Sequence, residues 1–326
     1  MTVVVTGAGG HLAANLIRLL VERRRKVKAV VRKDVRALEG LDVEIARADL
    51  LDFSSLLKAF EGAETVYHLA ALISISGGQA GLVERSNVEG PRNVVEACLK
   101  TGVRRLIHFS SIHAHQQEPL DELLDENRSY VPPNHPISYD RSKAEGESQV
   151  LNGVKMGLDA VIVNPTGVIG PWDFKPSFMG QMLLDLYNRK LIGLVNGGFN
   201  WVDARDVALG AMAAEEKGRS SHKYFLSGHW KTLRELAAIA QKITGINPPS
   251  ICTPQWLARI SAPFAMMVCN MTGGRHLFTG ESLAALRSNR HISCEKAKKE
   301  LGYVPRPIED TIRETYDWFR SSERIQ

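Results

Sequence analysis

The sequence predicts an α/β protein: a doubly wound parallel sheet with a smaller, mostly helical C-terminal lobe. Two observations carry this. Short β-branched runs alternate with stretches of helical periodicity through the first half, and after about Pro165 the rhythm changes to helices, scattered strands and links such as "IGPWDFKP" and "NGGFN". A chain of 326 residues with 44% hydrophobic side chains can bury a large core and still carry a second lobe. We expect residues 1–165 to hold the sheet and 166–326 to form mainly the lobe, with a segment at about 193–230 returning to the sheet.

The expected strands, in order, are Val3–Thr6, Val27–Arg32, Val43–Arg47, Thr65–Ala70, Arg105–Ser110 and Asp159–Asn164. Each is short, β-branched and bounded by polar or glycine-containing turns. Between them, Leu12–Arg24, Ser54–Phe60, Val88–Lys100 and Ser138–Leu151 read as helices. In such a sheet ligands gather at the carboxyl ends of the strands, so chemistry belongs in the loops that follow these runs.

Charged residues make up 24% of the chain and neither Gly nor Pro is in excess, which excludes a disordered or collagen-like protein. The net charge of +5 is spread along the chain; only "RRRK" (Arg23–Lys26) clusters, where the first helix should end and cations are favoured. No nucleic-acid partner is expected. Cys98, Cys252, Cys269 and Cys294 show neither a CxxC pair nor a Cys/His metal spacing, and read as free thiols in a reducing compartment with no metal site. The first strand starts directly after Met1, which predicts no signal peptide and a cytoplasmic protein. The apolar run Trp256–Met271 is short for a bilayer and contains Arg259 and Pro263, so it predicts a buried or lid helix rather than an integral membrane segment.

"VVVTGAGGHLAANLIRLL" joins the first strand to the first helix through Gly7, Gly9 and Gly10. Such a turn lets backbone N–H groups and a helix N-terminus approach a pyrophosphate, which predicts a Rossmann-type dinucleotide site. The spacing is Gly7-x-x-Gly10-x-x-Ala13, with Ala13 at the third small position. The second strand ends "VVRKD"; Arg32 and Lys33 suit the 2′-phosphate of NADP(H), while Asp34 competes as an acceptor for the ribose of NAD(H). Asp49 can accept from an adenine amino group with Leu50 against the ring, or serve as a helix cap. In "YHLAA", Leu69, Ala70 and Ala71 would let a cofactor lie on the backbone.

Tyr139 and Lys143 stand four apart in "ISYDRSKAEGE", so on a helix both leave from one face. Ser111 ends the fifth strand. Together they suggest a carbonyl chemistry. The phenol gives a proton to a carbonyl oxygen as hydride arrives from nicotinamide, an ammonium one turn away lowers the phenol's pKa, and Ser111 orients the oxygen. The charged residues from Glu145 onward read as a solvated or interface face.

Taken in order, "TGAGGHLA", "ADL", "YHLAA", "NVEGPRNVVEAC", "FSSI", "YDRSK", "NPTGVIGP" and "NWVDARDVALG" resemble the extended short-chain dehydrogenase/reductase superfamily, the NAD-dependent epimerase/dehydratase family, over essentially the whole chain. The chain is most similar to the dihydroflavonol reductase and 3β-hydroxysteroid dehydrogenase-like branch. "VVR" ends the second strand as in NADP(H)-using reductases, Gly167 stands where nucleotide-sugar enzymes commonly carry Asn, and Ile112-His113 replaces the Asp-Glu pair of sugar dehydratases. The resemblance implies a catalytic set of Ser111, Tyr139 and Lys143, completed by Asn87, with Tyr139 and Lys143 also holding the cofactor. It implies a phosphate loop at Gly7, Gly10 and Ala13 with His11 and Leu12 beside it, and a turn from Pro165 to Val168 at the nicotinamide carboxamide. It also implies a homodimer through the helices around Val88–Lys100 and Ser138–Leu151, with a monomer as the alternative. Two departures are His11, where an aromatic is common, and the continuation "IHAHQQ".

The expected substrate walls are apolar: Ile73, Ile75, Trp172, Phe174, Phe178, Met266 and Met267, with His113 and His115 near them. Of these, Trp172, Phe178 and His113, with Ser111 and Tyr139, are the candidate substrate contacts. The function expected is an NADP(H)-dependent carbonyl reductase or alcohol dehydrogenase for a small hydrophobic or aromatic substrate, with NAD(H) as the other cofactor. The alternatives are a sugar epimerase that retains its cofactor and a non-catalytic redox-sensing module.

Overall fold

The computed structural model describes residues 2–74, 79–258, 260 and 280–325. Its elements run β1 (Thr2–Thr6), α1 (His11–Glu22), β2 (Lys26–Val31), β3 (Glu44–Arg47), α2 (Phe53–Phe60), β4 (Ala63–His68), α3 (Leu82–Glu84), α4 (Gly90–Thr101), β5 (Arg105–Phe109), α5 (Ser138–Lys155) and β6 (Ala160–Pro165). Then come β7 (Gly167–Ile169), α6 (Phe178–Tyr187), β8 (Leu194–Val195), β9 (Gly198–Asp203), α7 (Ala204–Lys217), β10 (Lys223–Leu226), β11 (His229–Thr232), α8 (Leu233–Thr244) and β12 (Cys252–Thr253). Helices Gly280–Ala285, Glu295–Leu301 and Ile308–Ser321 follow.

β1 to β6 and β10 form one seven-stranded sheet in the order β10-β6-β5-β4-β1-β2-β3, with every pairing parallel. Strands covered on both faces need apolar residues without alternation, which is what "VVVT" supplies. Val3, Val5, Leu16, Val207 and Ala211 pack on one face with α1 and α7; Val4, Leu56, Val94, Leu106 and Val150 pack on the other with α2, α4 and α5. Burying a side chain such as Leu16 or Leu106 completely stabilises by about 1.5–3 kcal/mol. Chain order reverses at β1, which lies between β2 and β4, and that reversal opens a crevice at the carboxyl ends of β1 and β4.

β7, β9 and β11 form a second, three-stranded sheet, and β8 pairs with β12. Trp201, Leu183, Leu236, Ile312, Tyr316 and Phe319 make a separate core beneath them. The return of the chain to the main sheet goes further than the sequence suggests. Besides β10, the later residues Cys294, Ala297, Leu301 and Tyr303 enter the first core.

α5 departs from its reading as a polar face. Glu147 is fully buried, accepting from Tyr130 Oη at 2.8 Å and from Asn164 Nδ2 at 2.5 Å. Gly146 and Gly153 let the helix press on its neighbours: a Cβ at Gly146 would stand 2.4 Å from the Asn87 carbonyl oxygen, and one at Gly153 2.5 Å from Val95. The sequence hides this because small residues and buried hydrogen-bonded polar ones carry no apolar stripe.

Candidate active site

The crevice at the carboxyl ends of β1 and β4 is built of backbone. Gly7 adopts φ +69°, and a Cβ there would stand 2.8 Å from the Ala70 nitrogen and Cα. A Cβ on Gly9 would stand 2.7 Å from the Asp34 carbonyl oxygen. The Gly10 N–H closes the turn on the Gly7 carbonyl at 2.9 Å, and α1 starts at His11. This cradle, ending at a helix N-terminus, fits a dinucleotide pyrophosphate. Gly7→Ala is expected to cost about 2 kcal/mol from the left-handed φ and the collision together, and to weaken dinucleotide binding. Denaturant melts and a fluorescence titration check both.

The His11 ring reaches the loop after β7. Its Nε2 donates toward the carbonyls of Gly170 and Pro171, at 3.1 and 3.0 Å, and Asn15 Nδ2 donates to Pro171 as well. The ring thus ties α1 to the loop after β7. Leu12 and Leu69 are half-buried against the first core, and Ala71 is exposed beside the cradle.

At the end of β2, Arg32 and Lys33 are exposed. The competing acid is engaged. Asp34 accepts from Arg36 Nε at 2.9 Å and Nη2 at 2.6 Å, and the Arg36 hydrogen bonds hold its carboxyl down at about 2. Arg47 donates to the Arg32 carbonyl at 3.2 Å. Arg36 and Arg47 thus add cations to this corner that the sequence reading missed; the signal was the two-residue step from Asp34 to Arg36. Asp49 is not the helix cap. It turns its own loop by accepting from the Leu51 N–H at 3.0 Å, while Asp52 caps α2 through the Ser55 N–H at 3.2 Å. Leu50 packs against Gly90 of α4 and its carbonyl accepts from Asn93 at 2.8 Å.

Ser111, Tyr139 and Lys143 come together where β5 ends and α5 begins. The Ser111 and Tyr139 hydroxyls lie close enough for Ser111 to lower the phenol's pKa. Lys143 Nζ, almost wholly buried, donates to the Phe109 carbonyl at 3.0 Å. One part of the expected electrostatics is overturned. Burial raises the Tyr139 phenol above its ordinary value, with Asp140 adding to the rise, and the lowering influence is the Ser111 hydrogen bond rather than the ammonium. Lys143 places one of its three donors on the backbone of β5, and burial with Asp140 keeps Tyr139 protonated.

Burial brings Lys143 itself from 10.5 down to about 8, with Glu147 opposing. Its folded value therefore lies below its unfolded one. The unfolded chain binds more protons between about 8 and 10.5, so stability rises with pH across that window. Lys143→Met is expected to unfold at higher urea than wild type at pH 7, with the gap closing toward pH 10.

Asn87 hydrogen-bonds to the loop after β4 and to α5. It lies in a π-helical stretch, Arg85–Glu89, where its Oδ1 accepts from the Leu72 N–H at 2.8 Å and its Nδ2 donates to the Leu72 carbonyl and Ser142 Oγ. These bonds fix the loop after β4 against α5. Pro165 is buried at the end of β6, and Val168 is half-buried against the first core.

Beside Tyr139 lies a cavity of about 290 Å³. Phe178, Met182, Leu194, Phe199, Trp201 and Leu286 make much of its wall, and Ser111, His113, Tyr139, Asp140, Asn200 and Glu281 are among its polar residues. Ile73 lines it as expected. Trp172 does not: its ring sits against Phe174 and Trp318, with the Arg18 guanidinium 4.2 Å above it, in a cation–π and aromatic cluster that takes Phe174 away as well. His115 is buried between Tyr130 and Phe225. Ile75, Arg259, Pro263, Met266, Met267, Cys269 and most of the run after Ala258 lie outside the described residues. Sequence reasoning missed Asn200, a cavity residue whose side-chain oxygen accepts from Thr166 Oγ1 at 2.9 Å, because it stands in no spacing that marks chemistry.

Residues 3–226 match the model of the NAD dependent epimerase/dehydratase family. The chain belongs to this family. Among its relatives, the epimerase/dehydratase chain is 35% identical to Sterol demethylase protein B of Methylococcus capsulatus, an alignment that covers 100% of both chains. It is 31% identical to a putative dihydroflavonol 4-reductase of Synechocystis sp., covering 97% of this chain and 94% of that one. It is 30% identical to 3beta-hydroxysteroid-dehydrogenase/decarboxylase isoform 2 of Arabidopsis thaliana, covering 97% of this chain and 61% of that one. The crystal structure of gox2253 superposes with a TM-score of 0.86 at 33% identity, over 100% and 99% of the two chains. This epimerase/dehydratase-family protein is therefore an NAD(P)-dependent oxidoreductase of the extended short-chain type, on the dihydroflavonol reductase-like and 3β-hydroxysteroid dehydrogenase-like side. Among its described residues no helix is long and apolar enough to cross a membrane.

Proposed function

We propose that this protein interconverts a carbonyl and a secondary alcohol on a small hydrophobic substrate, using NADP(H). The observation that carries the reading is the Ser111–Tyr139 hydroxyl pair, backed by Lys143, on the wall of an apolar cavity. The names of the sterol demethylase and hydroxysteroid dehydrogenase relatives support a fused-ring alcohol as the type of substrate.

A bound nicotinamide supplies or accepts the hydride. Tyr139 donates its proton to the carbonyl oxygen as the alcohol forms, and takes it back in the other direction. Ser111 holds the same oxygen by a hydrogen bond. Lys143, with one donor on the Phe109 carbonyl, would offer its remaining N–H groups to the cofactor ribose. In this reading, residues 1–165 with the returning segment bind the cofactor and the rest of 166–326 reads the substrate, in a cytoplasmic homodimer; gel filtration with light scattering tests the dimer.

The cavity weighs against the sugar-epimerase alternative. Among its described lining residues no lysine or arginine is present to meet a nucleotide diphosphate. Reduction of a ketone panel with stoichiometric loss of nicotinamide absorbance tests the proposal; isomer interconversion without net cofactor change would refute it. Full biological activity in Tyr139→Phe would instead favour the non-catalytic module. For the cofactor, Arg32→Ala is expected to raise the KM for NADPH about ten-fold or more and to leave that for NADH nearly unchanged. Parallel steady-state series with both nucleotides read this out.

A further inference from the structure

Large apolar side chains stand in the open on the C-terminal lobe. Ile192 is 90% exposed, Ile260 70%, Trp256 65%, Ile251 61% and Leu257 43%. The backbone brings them together. β12 pairs with β8, the Leu194 N–H donates to the Ile251 carbonyl at 2.9 Å, and a Cβ on Gly193 would stand 3.4 Å from Ile251 Cγ2, so Ile251 lies next to Ile192. Residues 255–258 and 260 are helical, and Ala258 is buried with Val195 and Leu283. This turn therefore rests on β8 and leaves Trp256 and Ile260, four apart, on one outer face. The apolar run that begins at Trp256 is not buried at its start. A recess of about 210 Å³ adjoins the patch, lined among others by Arg189, Asn247 and Ser250, the last directly before Ile251. Arg189 and Lys190 are exposed and, among the described residues, enter no ion pair. Between Glu235 and Glu281 the sequence holds no Asp or Glu.

We propose that this face docks the protein on an anionic bilayer surface, with Ile192, Ile251, Trp256 and Ile260 in the interfacial layer and Arg189 and Lys190 toward lipid phosphates. The proposal goes beyond the oxidoreductase reading and does not depend on it. An exposed cluster of large apolar residues rimmed by cations marks an interaction site, where scattered single ones would not. Charge chooses the occupant. A second copy of the chain seated on the same patch would set Arg189 and Lys190 against themselves, and none of the patch or recess residues is acidic to meet them. An anionic membrane supplies the missing charge, and a tryptophan with one apolar and one polar end is suited to headgroup level. Among the described residues no helix is long and apolar enough to cross a membrane, so the contact lies on the surface rather than through it. Leu194 and Val195 of β8 also line the substrate cavity, so the docking face is the outer side of one of its walls.

The test is sedimentation of the full chain with vesicles of phosphatidylcholine alone or with about one third phosphatidylglycerol. Wild type is expected to bind the anionic vesicles about ten-fold or more tightly than the neutral ones, the gap narrowing as salt is raised. Ile192→Ser combined with Trp256→Ser is expected to weaken binding to the anionic vesicles about ten-fold or more. Arg189→Gln combined with Lys190→Gln is expected to remove the anionic preference. Thermal melts stay unchanged in both, because these side chains stand in solvent. Of the five tryptophans only Trp256 is exposed, so anionic vesicles should shift the emission of wild type to the blue and leave that of Trp256→Phe unmoved although it still sediments. Wild type that stays in solution with both vesicles, binds both equally, or shows the same shift in Trp256→Phe overturns the proposal, and these readouts stand even where a double variant does not fold. Dimerisation lost in the Ile192/Trp256 variant, without vesicle binding by wild type, assigns the face to a second copy and overturns it as well. None of these measurements needs cofactor or turnover, so failure of the oxidoreductase reading leaves the docking face standing.

Discussion

Replacing Tyr139 by Phe is expected to lower kcat by about 10²–10⁴ while NADPH still binds within a few-fold of its wild-type affinity. The ring and its packing stay; only the hydroxyl that meets Ser111 is lost. Because burial and Asp140 keep this phenol protonated, the group is poised as an acid in the reductive direction. Steady-state rates in both directions, together with a fluorescence titration of NADPH, check the result. A variant that kept its rate would remove Tyr139 from the chemistry.

The largest effect on stability is expected at Glu215 on α7. Its carboxylate, almost fully buried, accepts from Thr65 Oγ1 at 2.8 Å and Tyr67 Oη at 2.6 Å, and pairs with Arg25 at 2.9 and 3.2 Å. Glu215→Ala strands both hydroxyls and leaves a guanidinium without its anion, so a loss of about 3–5 kcal/mol is expected in denaturant unfolding. Burial alone would raise the Glu215 carboxyl, but the hydrogen bonds from Arg25, Tyr67 and Thr65 outweigh it and hold it below its ordinary value of 4.5. Its contribution to stability is therefore full above that value and is lost as pH falls through the depressed one. Glu215→Gln is expected to flatten the acid limb of the stability profile, which a pH series of melts would show.

The sheet was legible because its determinants are local. Six strands read as β-branched runs, and each was recovered to within a few residues at its ends. The glycine turn and the Tyr139/Lys143 spacing were legible for the same reason. What sequence could not show depended on meetings of distant segments. Trp172 looked like a pocket wall until Arg18, Phe174 and Trp318 closed around it. Glu147 looked solvated until Tyr130 and Asn164 supplied its donors. The direction of the Tyr139 shift was misread because spacing gives proximity, whereas burial and the true partner of Lys143 decide the sign.

The late entry of Cys294, Ala297, Leu301 and Tyr303 into the first core bears on how the chain is made. A nascent chain still short of these residues has already synthesised every strand of the main sheet, yet lacks the cover that α7 and β10 receive from them. Val207, Ala211 and Leu226 belong to that same core. Closing it couples segments far apart in sequence, a loop closure that slows folding relative to local contacts. The first core is therefore covered only once residues up to Tyr303 are present, and a fragment ending before them would expose apolar surface.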